Sequence, residues 1–230
     1  MNANTAGVGE FKAISGRNQW VFWIFGTLLI FTAIAFFSDL LEAQLLQRAI
    51  AGEIITDAEA ISNDTRQGII GFLFIIINLA AIVVFLMWIN RAYKNLSPLG
   101  ATNLRFTSGW AVGWFFVPIM SLFRPYQVVS EIMRASNPNA NTADSSSWRN
   151  LPTPTIVGWW WALFLISNFI GQIGFQMIFR GEELSDWLFS LYATMSWEAL
   201  DVVAGIPITI LLVRRISQFQ ETKYRQLSYS

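Results

Sequence analysis

The amino-acid sequence predicts an all-α fold: a polytopic membrane helical bundle with four transmembrane helices and a proline-broken re-entrant or interfacial segment. Composition is the first reason, because 54% of the 230 residues are hydrophobic and 13% are charged, about half the charged share of a soluble domain. The second is four apolar stretches that approach or exceed the ~20 residues a helix needs to cross a bilayer. The third is that the connections between them alternate between basic and acidic. The stretches are Trp20–Phe37, Gly68–Trp88, Ile156–Phe179 and Trp187–Val213.

The four spans are predicted at about 20–41, 68–89, 156–179 and 190–213. They form one membrane domain, 19–216, which is flanked by an N-terminal tail, 1–18, and a C-terminal tail, 217–230. Both tails are predicted to be cytoplasmic. The first stretch also resembles a signal peptide, since Ala33-Ile34-Ala35 has the form of a cleavage site. Its apolar run is longer than the ~7–15 residues of a signal-peptide core, which favours a retained anchor. Leucines recur at helical spacing over 39–51, so the first helix is expected to continue to Gly52.

The orientation follows from lysine and arginine, which are retained on the cytoplasmic side of a membrane. These residues precede the first span, follow the second and follow the last, whereas 53–64 and 182–186 are acidic. Both termini are therefore predicted to be cytoplasmic, which requires an even number of crossings. The expected location is the inner membrane of a bacterial cell.

A fifth apolar stretch, Trp110–Phe123, is about fourteen residues long, which is short for a crossing. Pro118 interrupts it and both of its flanks are basic. We interpret 108–123 as a re-entrant or interfacial segment that stays on the cytoplasmic side and is covered by protein; a full crossing is the alternative. Residues 125–136 follow as an amphipathic helix expected on the cytoplasmic surface.

The tryptophans favour the same orientation, because nine of the eleven lie near the predicted cytoplasmic boundary. Indole prefers the headgroup layer, where its ring is apolar and its N–H is hydrated. An aromatic belt is favoured over stacking sites for a ligand. The nine are Trp20, Trp23, Trp88, Trp110, Trp114, Trp148, Trp159, Trp160 and Trp161.

Several classes of function are excluded by what the chain lacks. It contains no histidine and no cysteine, which removes histidine-ligated haem, structural zinc, iron–sulfur clusters and serine–histidine triads. A formal net charge of zero provides no field that attracts nucleic acid. Asp57, Glu59 and Asp64 are a weak calcium candidate without the central glycine of a calcium loop. We therefore expect no cofactor, no metal and no nucleic-acid partner.

The chain from the second span onward resembles the bacterial family known as domain of unknown function 4328. The resemblance is carried by ordered motifs that cover most of this region. It implies a multi-span bacterial membrane protein with no established activity. The motifs are Trp88-Ile89-Asn90-Arg91-Ala92-Tyr93-Lys94-Asn95-Leu96, Gly109-Trp110-Ala111-Val112-Gly113-Trp114-Phe115-Phe116-Val117-Pro118, Leu122-Phe123-Arg124-Pro125-Tyr126 and Gly158-Trp159-Trp160-Trp161.

These motifs suggest structural roles for individual residues. Arg91 and Asn95 are four apart and are expected to dock onto the broken segment. Gly109 and Gly113 have the spacing that lets a helix approach a neighbour closely. Pro118 ends the regular pattern. Arg124, next to Pro125 at the membrane boundary, is interpreted as a topology signal in preference to a headgroup or partner contact.

The last stretch contains two carboxylates, Glu198 and Asp201, three apart and on one helix face. Ionisable groups within a bilayer are costly unless they are paired, hydrated or protonated, so both are expected to face the bundle interior. The preceding stretch offers a polar stripe at four-residue spacing: Asn168, Gln172, Gln176 and Arg180. Either the stripe and the acids line a path for a cation or proton, or they hold the helices together; the second is favoured.

The resulting functional prediction is a non-enzymatic helix-packing scaffold or accessory subunit of a membrane assembly. Its expected partners are the lipid bilayer and either itself or other membrane proteins. The alternative is a small homo-oligomeric cation or proton channel, or a membrane effector, that uses Glu198 and Asp201. A lipid-modifying enzyme ranks third, since no nucleophile–base pair is recognisable in the sequence.

Overall fold

The computed structural model describes residues 11–12, 15–140, 145–180 and 183–229, and this part of the chain is helical and contains no strand. The all-α prediction is confirmed. Two 3-10 helices, Met120–Leu122 and Ser147–Asn150, and a π turn, Asp201–Gly205, supplement seven α-helices. The α-helices are α1 (Ser15–Ile50), α2 (Asp57–Lys94), α3 (Trp110–Gly113), α4 (Arg124–Ala135), α5 (Thr155–Arg180), α6 (Leu184–Leu200) and α7 (Ile206–Ser228).

Three helices in the described residues are long and apolar enough to cross a membrane. They contain the candidate spans Asn18–Ile50, Asp57–Lys94 and Thr155–Met177. The fourth predicted span, 190–213, is not among them, because it is divided between α6, the π turn and α7. The predicted count of four crossings is therefore not established by the helices themselves.

The ends of the first two helices have local causes. α1 ends at Ile50, and Gly52 follows with a φ of +81°, as the predicted end at Gly52 requires. α2 begins at Asp57, eleven residues before its predicted span. Thr56 and Glu59 explain this start: the Glu59 carboxylate accepts from the Thr56 N–H at 3.0 Å, and the Glu59 N–H donates to the Thr56 hydroxyl at 3.3 Å. This reciprocal pair is a capping box.

The chain divides into two compact units. Unit 1 consists of 1–22, 82–161 and 209–230, and unit 2 consists of 23–81 and 162–208. The charges divide with them. Unit 1 holds twelve of the fifteen lysines and arginines but four of the fifteen acids, a net charge of +8, which leaves −8 for unit 2.

Unit 1 has a dense core around α4. Val128, Val129, Ile132, Met133 and Ala135 of this helix are fully buried. Pro125, Ser130 and Glu131 are buried as well. The helix lies where the sequence predicts it, but it is not a surface helix with its apolar face toward lipid, because other parts of unit 1 cover that face.

Both ends of the chain pack into unit 1 at Asn95, which is fully buried. The Asn95 side chain pairs with the backbone of Lys12, accepting from its N–H at 3.4 Å and donating to its carbonyl at 3.1 Å. It also donates to Gln220 of α7 at 3.1 Å. Phe11 stacks on Tyr224, with ring centroids 4.1 Å apart. The described N-terminal residues and the C-terminal helix therefore meet around one side chain.

The predicted C-terminal tail, 217–230, is instead the end of α7 as far as Ser228. Ser217, Gln220 and Lys223 are buried there, because the helix has a polar face that hydrogen-bonds to the core of unit 1. The Ser217 hydroxyl donates to Asn18, which also accepts from the indole of Trp88 at 3.0 Å. Of the predicted N-terminal tail, 1–10 and 13–14 lie outside the described residues, and 15–18 belong to α1.

Unit 2 contains parts of α1, α2 and α5 together with α6 and the π turn. α5 approaches α6 closely at Gly174, where an added Cβ would lie 3.4 Å from the Ser190 carbonyl. The Ser190 hydroxyl donates to the Gly174 carbonyl at 2.8 Å. Small residues therefore join α5 to α6, as is common between helices in membranes.

The tryptophans divide between core and surface. Trp88, Trp148, Trp160 and Trp161 are buried in unit 1, so a boundary position does not account for them. Others remain compatible with an aromatic belt, since they expose between 51% and 75% of their surface. These are Trp20, Trp23, Trp110, Trp159 and Trp187.

Candidate functional site

The two carboxylates of the last apolar stretch lie in unit 2, and both are largely removed from solvent. Glu198, on α6, is 3% exposed, and its Oε2 has no hydrogen-bond partner among the described residues. Asp201 begins the π turn and accepts from the Ser167 hydroxyl of α5 at 3.0 Å. The charges of Asp39 and Asp201 are close enough to act on Glu198. Glu198 is therefore buried and Asp201 is half-buried within unit 2.

The π turn is explained by two residues of the sequence. Pro207 has no N–H to donate, so the helical hydrogen-bond ladder is interrupted just before α7. Gly205 lies against Asp201: a Cβ added to Gly205 would be 2.5 Å from the Asp201 Oδ1. Only glycine leaves room for that carboxylate, so the turn and the acid position depend on each other.

The polar stripe of α5 does not accompany the acids into the interior. Asn168, Gln172 and Gln176 are exposed, and the Asn168 amide donates to the Phe164 carbonyl of its own helix at 2.7 Å. The side chain of Arg180 lies outside the described residues. Ser167, which precedes Asn168 and lies off the predicted stripe, makes the contact with Asp201 that the stripe was expected to make.

A second polar cluster of unit 2 was missed. The Gln67 amide of α2 donates to Asp39 at 3.0 Å and to Glu42, both on α1. The Arg66 guanidinium donates to the Ser38 hydroxyl at 3.0 Å. The signal was present in the sequence, since Asp39 and Glu42 are three apart in an otherwise apolar part of a helix.

Unit 1 contains a cavity of about 410 Å3 between α4 and the 3-10 helix Ser147–Asn150. Three arginines line it: Arg105, Arg134 and Arg149. Neutral acceptors hold them in place. Arg134 donates to the carbonyls of Ser130 at 3.4 Å and Arg149 at 3.3 Å, and Arg149 donates to the Asn103 carbonyl.

The indole ring of Trp148 contacts two of these arginines. The guanidinium carbons of Arg134 and Arg149 lie 5.8 and 5.5 Å from its ring centroid, within the range of a cation–π interaction. The Trp148 indole N–H donates to the Thr102 carbonyl at 3.2 Å, which fixes the ring. Two positive charges therefore lie against one ring beside the cavity.

Glu131 is the one acid among the described residues that line this cavity. One of its carboxylate oxygens accepts from the Arg105 backbone N–H at 2.7 Å and from the Tyr93 hydroxyl at 3.1 Å. Burial raises the pKa of Glu131 above its ordinary value. Lys223 shows the converse effect, because burial lowers the pKa of its amine, which donates to the Ala135 carbonyl at 2.9 Å.

The proline-broken segment is short and irregular. α3 is a single turn, and Ile119, directly after Pro118, has a φ of +65°, which is a strained conformation for a β-branched residue. Asn90 and Tyr93 of α2 hold its beginning, donating to the carbonyls of Ser108 and Phe106 at 2.7 and 2.9 Å. The segment therefore does not cross a membrane as one helix.

The motif residues have partly different roles from those expected. Asn95 joins the chain ends and not the broken segment, and Arg91 is half-buried on the same helix. Close helix packing at Gly109 and Gly113 is not found: an added Cβ at Gly109 meets nothing within 4 Å, and the nearest neighbour of Gly113 is the Trp110 ring of its own turn.

Arg124 and Pro125 begin α4, where proline suits the first turn of a helix. The Arg124 guanidinium donates to Gln127 at 3.0 Å. It also lies 5.2 Å from the Trp114 ring centroid and 5.7 Å from that of Phe106. Aromatic rings and an amide therefore hold this cation, as they hold the arginines of the neighbouring cavity.

Among the described residues, three helices are long and apolar enough to cross a membrane, which suggests a membrane location for this helical protein. The chain belongs to the family described as Domain of unknown function (DUF4328), whose sequence profile matches residues 51–218. This confirms the family resemblance. No curated protein and no solved structure is detectably similar to the chain.

Proposed function

We propose that this protein is a non-enzymatic helix-packing scaffold or accessory subunit of a membrane assembly. The observation that supports this most is how little of its apolar helices the chain itself covers. In the most apolar 18 residues of the three candidate spans, 33%, 11% and 22% of residues are buried. Lipid and neighbouring membrane helices are the partners that such surfaces accept.

The second helix, α2, is the surface that we assign to packing. Its apolar side chains are outward, with Phe72 exposed by 65% and Ile75 by 59%. Gly68 and Gly71 lie on the same face, and an added Cβ on either meets nothing within 4 Å. Because small residues allow close backbone approach between membrane helices, this face suits a helix from another copy or another membrane protein.

We further propose four crossings, a bacterial inner-membrane location and cytoplasmic termini. Unit 1, at +8, carries the charge that is retained on the cytoplasmic side. The contacts of Lys12 and Gln220 with Asn95 support placing both chain ends on one side. The fourth crossing is assigned to α6 and α7, with the π turn between them.

Photo-crosslinking in intact membranes tests the packing role. A photoreactive amino acid at Ile75 is expected to give protein–protein adducts, and Gly71→Leu is expected to reduce them because it fills the open face. Ile30 of α1 is the matched control, since it is 65% exposed and apolar but has no neighbouring glycine pair. Adducts with lipid alone at Ile75, or equal protein adducts at both sites, would contradict the proposal.

A second candidate function is a cation or proton pathway through unit 2. The observation in its favour is the unpartnered Oε2 of buried Glu198, with Asp201 and Asp39 within electrostatic range. The test is ion and proton flux in proteoliposomes with the double variant E198Q/D201N. A flux that is lost in E198Q/D201N but kept in D64N, which changes an exposed acid, would support a pathway. Equal flux in all three proteins leaves the acids a structural role.

A further inference from the structure

We propose that unit 1 binds the phosphate group of an anionic phospholipid in the cavity lined by Arg105, Arg134, Arg149 and Ser130. The site requires a chain that lies at a membrane, but it does not depend on the packing role of α2. Four features support it: the hydrogen-bonded arginines, the lack of a carboxylate paired to them among the described residues, a buried hydroxyl without a partner among those residues, and an adjoining apolar surface.

The arginines of the cavity are held by neutral groups and not by carboxylates. Among the described residues, Arg105, Arg134 and Arg149 form no ion pair within 4 Å, in contrast to Arg48 of unit 2, which pairs with Glu53 and Glu59. Carbonyls, an amide and the Trp148 ring hold the cavity arginines instead. Guanidinium groups bind phosphate oxygens with strong, charge-assisted hydrogen bonds, so prepositioned arginines beside an open cavity suit that ligand.

Glu131 is a negatively charged residue in the lining of the cavity. It lies within electrostatic range of Arg105 and Arg134, and one of its two carboxylate oxygens accepts from the Tyr93 hydroxyl and the Arg105 backbone N–H. Among the described residues that line the cavity, three are cations and one is an acid, so the net charge of this lining favours an anion.

Ser130 provides the second, independent indication of a ligand. It is 4% exposed, lines the cavity, and its Oγ has no hydrogen-bond partner among the described residues. Buried hydroxyls without a partner cost stability and are uncommon. A phosphate oxygen in the cavity would accept from this hydroxyl, so the unpaired donor is explained by a binding role.

The adjoining surface identifies the source of the phosphate. A neighbouring cavity shares Arg105 and Gln127 with the first and adds Arg124, beside Trp114 and Phe123. The broken segment that forms its wall exposes large apolar side chains, with Phe116 at 68%, Ile119 at 70% and Phe123 at 58%. Acyl chains would cover these side chains while the headgroup occupies the arginine cavity; a free phosphate compound would leave them uncovered.

The test uses the full-length protein in a neutral detergent and short-chain lipids. Dioctanoyl phosphatidylglycerol is titrated while heat and tryptophan fluorescence are measured. Arg105→Gln is expected to weaken binding roughly tenfold, since one charge-assisted hydrogen bond is lost. Arg214→Gln removes the same charge from an exposed position of unit 1 and is expected to change affinity less than twofold. Equal losses of affinity in the two variants would show that only the net charge of the protein matters, which would contradict a specific site at the cavity.

A serine pair separates binding from folding. Ser130→Ala is expected to weaken phosphatidylglycerol binding several-fold while the folded protein keeps its stability, because the hydroxyl has no partner to lose. Ser217→Ala removes a buried hydroxyl bonded to Asn18 at 2.9 Å, and is expected to lower stability without changing affinity. Unchanged lipid binding in S130A would contradict the assignment of this hydroxyl to a ligand.

Two further ligands test the source of the phosphate. Dioctanoyl phosphatidylcholine carries a cationic choline that the arginines repel, and inorganic phosphate lacks the acyl chains. Both are expected to bind at least roughly tenfold more weakly than phosphatidylglycerol. Equal affinity for phosphatidylcholine would rule out charge selection. Inorganic phosphate that binds as tightly as phosphatidylglycerol would overturn the lipid assignment in favour of a soluble phosphate compound.

Discussion

Replacing Gln220 by leucine is expected to destabilise unit 1 strongly, because this buried amide connects three parts of the unit. It is fully buried, donates to the Ala92 carbonyl at 2.9 Å and to the Ser136 hydroxyl at 3.0 Å, and accepts from the Asn95 amide at 3.1 Å. Leucine has a similar size but can make none of these hydrogen bonds. The change therefore isolates polar partners at little cost in volume.

The magnitude follows from which partners are left unpaired. Asn95 keeps its bond to the Lys12 carbonyl, so the main losses are at Ala92 and Ser136. Each buried polar group without a partner costs about 1–3 kcal/mol, and leucine recovers part of this by burying apolar surface. We expect a loss of about 2–4 kcal/mol in the free energy of unfolding.

The assay is reversible denaturation in detergent, followed by tryptophan fluorescence, since Trp88 and Trp148 are buried in the same unit. Gln218→Leu is the matched control: the same substitution at an exposed position of α7, expected to change stability by less than about 0.5 kcal/mol. Equal effects of Q220L and Q218L would refute the reasoning, because the amide network would then contribute nothing measurable.

Three further changes test other parts of the fold by the same denaturation measurement. Gly205→Ala is expected to lower the free energy of unfolding by about 1 kcal/mol or more, because its Cβ would lie 2.5 Å from Asp201 and the overpacked site would have to shift. Gly171→Ala is the control, and this change at an open position is expected to be neutral or stabilising. Because burial raises the pKa of Glu131 above 4.5, the wild-type free energy of unfolding should fall as pH rises from 4.5 through the raised pKa, and Glu131→Gln should remove this fall. Thr56→Ala should cost about 1 kcal/mol by removing a helix cap; an effect near zero would show that the cap is not needed.

Long helices could be predicted because their signal is local. The predicted span 156–179 and α5, Thr155–Arg180, agree within one residue at each end. The early start of α2 was also visible in principle, as Thr56 and Glu59 have the spacing of a capping box. Pro207 likewise marks a break inside the last apolar stretch, which explains why that stretch is not one helix.

The candidate site in unit 2 shows a limit of helical spacing. Four-residue spacing establishes that Asn168, Gln172 and Gln176 share a face, and they do. It does not determine the rotation of α5 about its axis, so it could not indicate that this face is exposed while Ser167 contacts Asp201. That rotation depends on packing between helices far apart in the sequence.

The role of Asn95 could not be predicted for a related reason. Its partners Lys12 and Gln220 are 83 and 125 residues away, and no local pattern relates them. The arginine cavity is similar, since Arg105, Arg134 and Arg149 come together through the folding of α4 against its neighbours. In both cases the sequence provides the residue types, and only tertiary structure brings them together.

Cysteine accessibility in intact cells tests most directly whether both chain ends share the cytoplasmic side. The native chain has no cysteine, so exposed serines can be replaced one at a time: Ser145 and Ser228 in unit 1, Ser62 and Ser185 in unit 2. We predict that a membrane-impermeant maleimide labels Ser62→Cys and Ser185→Cys in intact cells, but Ser145→Cys and Ser228→Cys only after permeabilisation. Labelling of Ser228→Cys in intact cells, with Ser145→Cys protected, would contradict the account.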